Sequence, residues 1–321
     1  MQRLLNHKLT AIFLPALIGM GGAALSIKGF EEYGWSLFVG LPVAVSFLSA
    51  FCWSYRRPMS FGSAYGVASL SILALGGLIM IFALDGLICL LMALPLAMAL
   101  GLVGAAAGRF VGSSIGAAGR STILSLLCLA FPLLVGFEHA TAPEPELREV
   151  TTSVLVDARI EDVWDTVIAF PEIHGTPEAI FRLGIAYPVK ASIEGHGVGA
   201  IRYCTFSTGS FVEPVTEWDA PRRLSFDVTE NPPAMKEFSL YDDLHAPHLH
   251  GYMTSKKGQF RLSEKDGRVL LEGTTWYTHR IAPAFYWGVV SDEIIHRIHL
   301  RVLGHIKRHA EGAGQIPAAI D

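Results

Sequence analysis

Residues 283–311 read PAFYWGVVSDEIIHRIHLRVLGHIKRHAE, and the fold turns on what this stretch does. Phe285, Trp287, Val290, Ile294, Ile295, Ile298, Val302 and Ile306 recur at steps of three and four, which predicts a long helix with one broad apolar face. Asp292, Glu293, Arg297, Arg301, Lys307 and Arg308 occupy the other face. Pro283 in the first turn, acids ahead of bases and glycines at 312 and 314 agree with those bounds. So broad an apolar face needs a partner. The expected partner is a curved sheet formed by the preceding strands, with the function residing in whatever fills the gap.

Working outward, segments 150–156, 191–194, 199–206, 211–218, 223–228, 258–263 and 269–277 are short, alternating and separated by turn residues such as Lys265-Asp266-Gly267. Helical spacing at Ile160, Val163, Trp164, Val167 and Ile168 predicts a helix after the first strand, and a second short one falls near 177–183. The order strand, two helices, about six strands, long helix fits an α+β domain over 150–312, an antiparallel sheet with helices on one face. Residues 138–149, acidic and proline-containing, read as a linker, and 313–321 as a tail.

The stretches VTTSVLVDARIEDVWDTVIAFPEI (150–173), VGAIRYCTFSTGSFVEPVTEWDAPRRLSFDV (198–228) and FRLSEKDGRVLLEGTTWYTHRIAP (260–283), followed by a closing helix, resemble the START-like or SRPBCC superfamily, and more narrowly its polyketide cyclase/dehydrase-like branch. The resemblance covers about residues 150–311. It implies a helix-grip fold, a bent sheet gripping the closing helix around an apolar cavity for lipids, sterols, polyketides or aromatic products. No catalytic signature accompanies it, so it speaks to fold more than to activity.

The first 137 residues are of another kind. The chain is 51% hydrophobic overall, with a mean hydropathy of +0.40, and the excess lies in this half. It carries seven Lys/Arg against three Asp/Glu, whereas the remainder carries 18 against 26. Uncharged runs at 9–27 and 35–54, a longer run at 66–108 interrupted by Asp85-Gly86, and a run at 121–137 predict an all-α transmembrane region of five spans. Read instead as a cleaved signal peptide, the first run would leave the later spans in place; the flanking spans favour a retained helix. Arg3, Lys8, Arg56, Arg57, Arg109 and Arg120 fall on one side of a five-span arrangement, which places the amino terminus in the cytoplasm and the α+β domain outside a bacterial-type inner membrane. A four-span count reverses that side. Ionisable residues are absent from mid-span positions, so these helices read as an anchor or platform, and the glycines at 104, 108, 112 and 116 as ordinary helix packing. The acidic soluble half speaks against nucleic acid as a partner.

Trp164, Tyr203, Phe206, Phe226, Trp276, Trp287, Ile295, Ile298, His299 and Val302 are the candidate cavity residues. The irregular segment 231–252, containing Tyr241, His245, His248 and His250, is the candidate gate. Asp242, His245, His248 and His250 are metal-ligand types, but their spacing matches no standard site; hydrogen-bonding loop residues are the preferred reading, with no metal and no cofactor. His299, His296 and Tyr277 are the candidates for acid–base work. Arg202 and Arg280 read as caps of the sheet edge rather than anchors for a ligand carboxylate. Without paired carboxylates or a nucleophile motif, binding of a hydrophobic small molecule or lipid by a membrane-anchored protein is preferred. A cyclase- or dehydratase-type enzyme and an interaction or metal-binding module acting through the 231–252 loop are the alternatives.

Overall fold

A computed structural model of the chain describes residues 7–55, 59–142, 144–241, 246–249 and 251–313. The chain divides into two compact units. One holds residues 1–144 with segments 237–248 and 280–287; the other holds 145–236, 249–279 and 288–321.

The first unit is built on α1 (Lys8–Ala24), α2 (Leu41–Trp53), α3 (Phe61–Ile81), α4 (Leu87–Ser114) and α5 (Ala117–Thr141), with π-helical turns at Leu25–Gly29 and Ser36–Gly40. Among the described residues, five helical stretches here are long and apolar enough to cross a membrane. The turn expected at Asp85-Gly86 separates α3 from α4. The 138–149 segment departs from a plain linker: α5 runs through Glu138 to Thr141, and the next strand already begins at Arg148. Glu138 is held there because its carboxylate accepts the Trp35 and Ser36 amides at the start of a helical turn.

The glycine row of α4 has a definite partner. A Cβ added at Gly104, Gly108 or Gly112 would lie 2.4, 2.1 or 2.9 Å from the carbonyl oxygens of Val43, Phe47 and Phe51. Both helices repeat every four residues at this seam, so backbone meets backbone along three turns. Gly116, with nothing within 4 Å of an added Cβ, lies beyond the seam.

In the second unit, β1 (Arg148–Val156), β2 (Pro188–Glu194), β3 (Ile201–Phe206), β4 (Gly209–Asp219), β5 (Arg223–Asp227), β6 (Met253–Lys265) and β7 (Arg268–His279) form one antiparallel sheet in the order β1-β7-β6-β5-β4-β3-β2. Between β1 and β2 lie α6 (Ile160–Ile168) and the short α7 (Ala179–Arg182), and α8 (Ala284–Ala313) closes the chain. Register shifts within β2, β4 and β6 curl the sheet, since an extra residue on one strand bends it and raises its twist.

The concave face buries Val302, Leu303, Ile306 and Ala310 of α8 against Leu224, Leu262, Leu271 and Val156, with Trp164 of α6 in the same core. The helix–sheet pairing is what the period of residues 283–311 calls for.

Candidate functional site

Between the sheet and α8 lies a cavity of about 130 Å³. The floor is made by strands at the middle of the sheet. Phe206 and Cys204 come from β3, Phe226 from β5, Phe260 and Gly258 from β6, and Gly273 and Thr275 from β7; Ile295, Ile298, His299, Val302 and Leu303 of α8 form the roof. Gly258 is required by close approach, because a Cβ there would come within 2.3 Å of the Phe226 ring.

Of the ten expected cavity residues, Phe206, Phe226, Ile295, Ile298, His299 and Val302 line it. Four sit elsewhere. Trp164 packs edge-on against Trp218 in the core, 5.7 Å between ring centres. Tyr203 falls on the opposite face of β3 from Arg202, Cys204 and Phe206, all three buried, as strand alternation demands. Trp276 donates its indole N–H to Glu149 at 2.9 Å and lies under the Lys257 ammonium. Trp287 belongs to the helical unit, its ring 4.7 Å from Phe38.

The residues of the candidate gate are divided between the two units. Asn231, Pro232, Pro233 and Ala234 line the cavity, but residues 237–248, with Tyr241 and His248, belong to the helical unit. The Phe238 carbonyl accepts the Leu87 N–H at 3.0 Å, and the Tyr241 hydroxyl donates to the Ile81 carbonyl at 2.5 Å. Asp242, His245 and His250 lie outside the described residues.

Arg202 is the residue that sequence reasoning placed least well. It does not cap the sheet edge: it is 1% exposed and forms a buried ion pair with Glu213 on the cavity wall. Its guanidinium lies 5.8, 5.3 and 5.5 Å from the ring centres of Phe170, Phe226 and Phe260, and its Nε donates to the Ile168 carbonyl at 3.3 Å. Nη2 is left without a hydrogen-bond partner. The clue was available in the strands, because Arg202 and Glu213 stand directly opposite in the β3–β4 ladder. Arg280, the other candidate anchor, is exposed and lies in the helical unit.

Two titratable groups of the cavity, His299 and Cys204, are ill suited to proton transfer at neutral pH. His299 has one ring nitrogen 2.8 Å from the Thr275 hydroxyl and the other 3.2 Å from that of Thr152. Burial, with a smaller contribution from the His296 charge, pulls its pKa down to about 4. Burial also pushes the Cys204 thiol up to about 12, far from the thiolate a nucleophile needs.

His296 bonds the Thr152 hydroxyl at 2.7 Å, and Tyr277 donates to Asp292 at 2.6 Å beside Arg148. Neither lines the cavity; His296 shares the Thr152 hydroxyl with His299, while Tyr277 is engaged by Asp292. Burial and then the bond to Asp292 push the Tyr277 phenol up. Burial raises Asp292 in turn, but the bonds from Arg148 and Tyr277 leave its carboxyl below the usual range.

No family model and no curated protein matches the chain. Among solved structures it is similar to the Zhui aromatase/cyclase from Streptomyces sp. R1128, at 15% identity and TM-score 0.35, over 55% of this chain and 100% of that one. It is also similar to a point mutant of norcoclaurine synthase from Thalictrum flavum, at 16% identity and TM-score 0.34, over 54% of this chain and 99% of that one. At such TM-scores the likeness carries no argument about the cavity, which is read from its own residues.

Proposed function

We propose that this chain is a membrane-anchored binding protein whose sheet-and-helix unit holds one small, neutral, mostly apolar molecule carrying a hydrogen-bond acceptor. The observation that carries the reading is the apolar cavity, whose lining includes the buried Arg202–Glu213 pair, Nη2 of Arg202 having no partner among the described residues. Leaving such a donor unmade costs roughly 1–3 kcal/mol, which a ligand oxygen that displaces a wall side chain to reach Nη2 would recover. Glu213 already neutralises Arg202, so a carbonyl or ester oxygen fits better than a carboxylate, which would bring an uncompensated charge into a dry site. A volume of about 130 Å³ compares with the ~150 Å³ engineered cavity that takes benzene, so one ring fits as the cavity stands. An acyl chain requires it to widen.

Membrane anchoring is supported by the outward faces of the helices. Leu126, Leu129, Leu133 and Phe137 of α5 are 60, 64, 71 and 67% exposed, a contiguous apolar strip that suits lipid. The distribution of basic residues favours a cytoplasmic amino terminus and an extracytoplasmic sheet unit. The cyclase- or dehydratase-type alternative needs an acid or base on the cavity wall. With a pKa of about 4, the His299 ring is protonated in only about one molecule in a thousand at pH 7 and is a weak base when neutral, and the Glu213 carboxylate is engaged by Arg202, so binding is the favoured reading.

Calorimetric titration of the detergent-solubilised full chain with acetophenone and with ethylbenzene tests this. Acetophenone is expected to bind about fivefold more tightly, the worth of one hydrogen bond. The Arg202→Met/Glu213→Leu pair should erase that preference, and Ile298→Trp, filling the cavity, should abolish both heats. Binding unaffected by Ile298→Trp overturns the proposal.

A further inference from the structure

We propose that Asp85, Cys89 and His248 form a zinc site in the helical unit. Asp85 lies in the turn between α3 and α4, Cys89 in the first turn of α4, and His248 in the short 3-10 turn Pro247–Leu249. All three are buried, and one donor atom from each lies within 4.8 Å of the others. All belong to the same compact unit, as does Glu237. The arrangement does not depend on the cavity or its ligand.

The independent observation is the state of the His248 ring. Its side chain is 3% exposed, and neither Nδ1 nor Nε2 has a hydrogen-bond partner. Asp85 Oδ1 stands 3.8 Å from Nδ1, and Glu237 Oε1 stands 3.6 Å from Nε2. These separations are too long for hydrogen bonds. An oxygen and a nitrogen held tetrahedrally about 2.0–2.2 Å from one zinc ion lie roughly 3.3–3.6 Å from each other, so the Asp85–His248 spacing is within a few tenths of an ångström of that of a shared ion.

The surroundings complete the pattern. With Nδ1 on the ion, Nε2–H faces the Glu237 carboxylate, the outer partner that commonly orients a metal-bound histidine. Glu237 is itself fixed, accepting the backbone N–H groups of Ile88 at 2.9 Å and Cys89 at 3.0 Å at the open start of α4. The Tyr33 ring packs on His248, 4.9 Å between centres, and sets its plane. A donor set of one carboxylate, one thiolate and one imidazole suits zinc, and suits magnesium or calcium poorly. A dication here offsets the charge of the buried Asp85 and Glu237 carboxylates. An ion here pins His248 to the α3–α4 hairpin, and three protein ligands leave its fourth position to water.

The full chain, purified through a tag that does not bind metal, should carry about one zinc per molecule by mass spectrometry. Cys89→Ser and His248→Gln should each lower that content at least about tenfold. After chelation, cobalt should restore a thiolate-to-metal charge-transfer absorption that Cys89→Ser lacks. If a variant fails to fold, the cobalt spectrum of the natural sequence decides alone. Less than about 0.1 zinc per chain with no thiolate–cobalt absorption overturns the site, as does zinc content unchanged in both variants.

Discussion

Lowering the pH from 7 to 5 is expected to cost the sheet-and-helix unit about 2 kcal/mol through His299 alone. The folded pKa of this ring is about 4 against an ordinary 6.5, so between those values the unfolded chain binds more protons than the folded one. The stabilisation from burying a neutral ring is fully present above about pH 6.5 and is lost as the pH falls toward 4. Over the whole window a shift of about 2.5 units is worth about 3.4 kcal/mol, of which about 2 is lost between pH 7 and 5. The partial exposure of the side chain makes this an upper figure.

For a unit of this size 1 kcal/mol moves the melting point by about 2–4 °C, so the pH change should lower it by about 4–8 °C. Tryptophan fluorescence melts of the full chain at both pH values, for the natural sequence and for His299→Gln, isolate the group. The variant keeps the Thr152 and Thr275 hydroxyls as partners but does not titrate. An equal pH-dependence in the two proteins refutes the reasoning, because His299 would then titrate as it does in the unfolded chain.

Leu303→Ala, at a fully buried position that faces both the core and the cavity, should cost about 3 kcal/mol in thermal or denaturant melts; a loss below about 1 kcal/mol would show that the cavity already empties this contact. Gly108→Val would place a Cβ against the Phe47 carbonyl and force α2 from α4. A lower melting point in detergent is expected, with Gly116→Ala unaffected as the control, and equal stability of the two refutes the backbone seam.

Much of the architecture was legible because backbone geometry imposes its period on the sequence. The spacing of residues 283–311 gave α8 to within two residues at its end, and alternation gave seven strands in chain order. The Asp85-Gly86 pair gave the hairpin turn within the apolar run. The candidate site was legible only by half. Roof residues on α8 share a face by period alone, whereas Tyr203 and Trp276 sit on strands whose two faces are both partly apolar, so composition does not say which face turns inward.

The sequence by itself determined which segments are helices or strands and which five runs are apolar enough to cross a membrane, because these depend on neighbours a few residues away. Tertiary structure alone decided that Arg202 lies buried beside the cavity, that α4 lays its glycines on the carbonyls of α2, and that His248 meets Asp85 and Glu237. Each of those depends on strand register or on packing between distant segments. A buried polar group takes its meaning from the partner that folding brings to it.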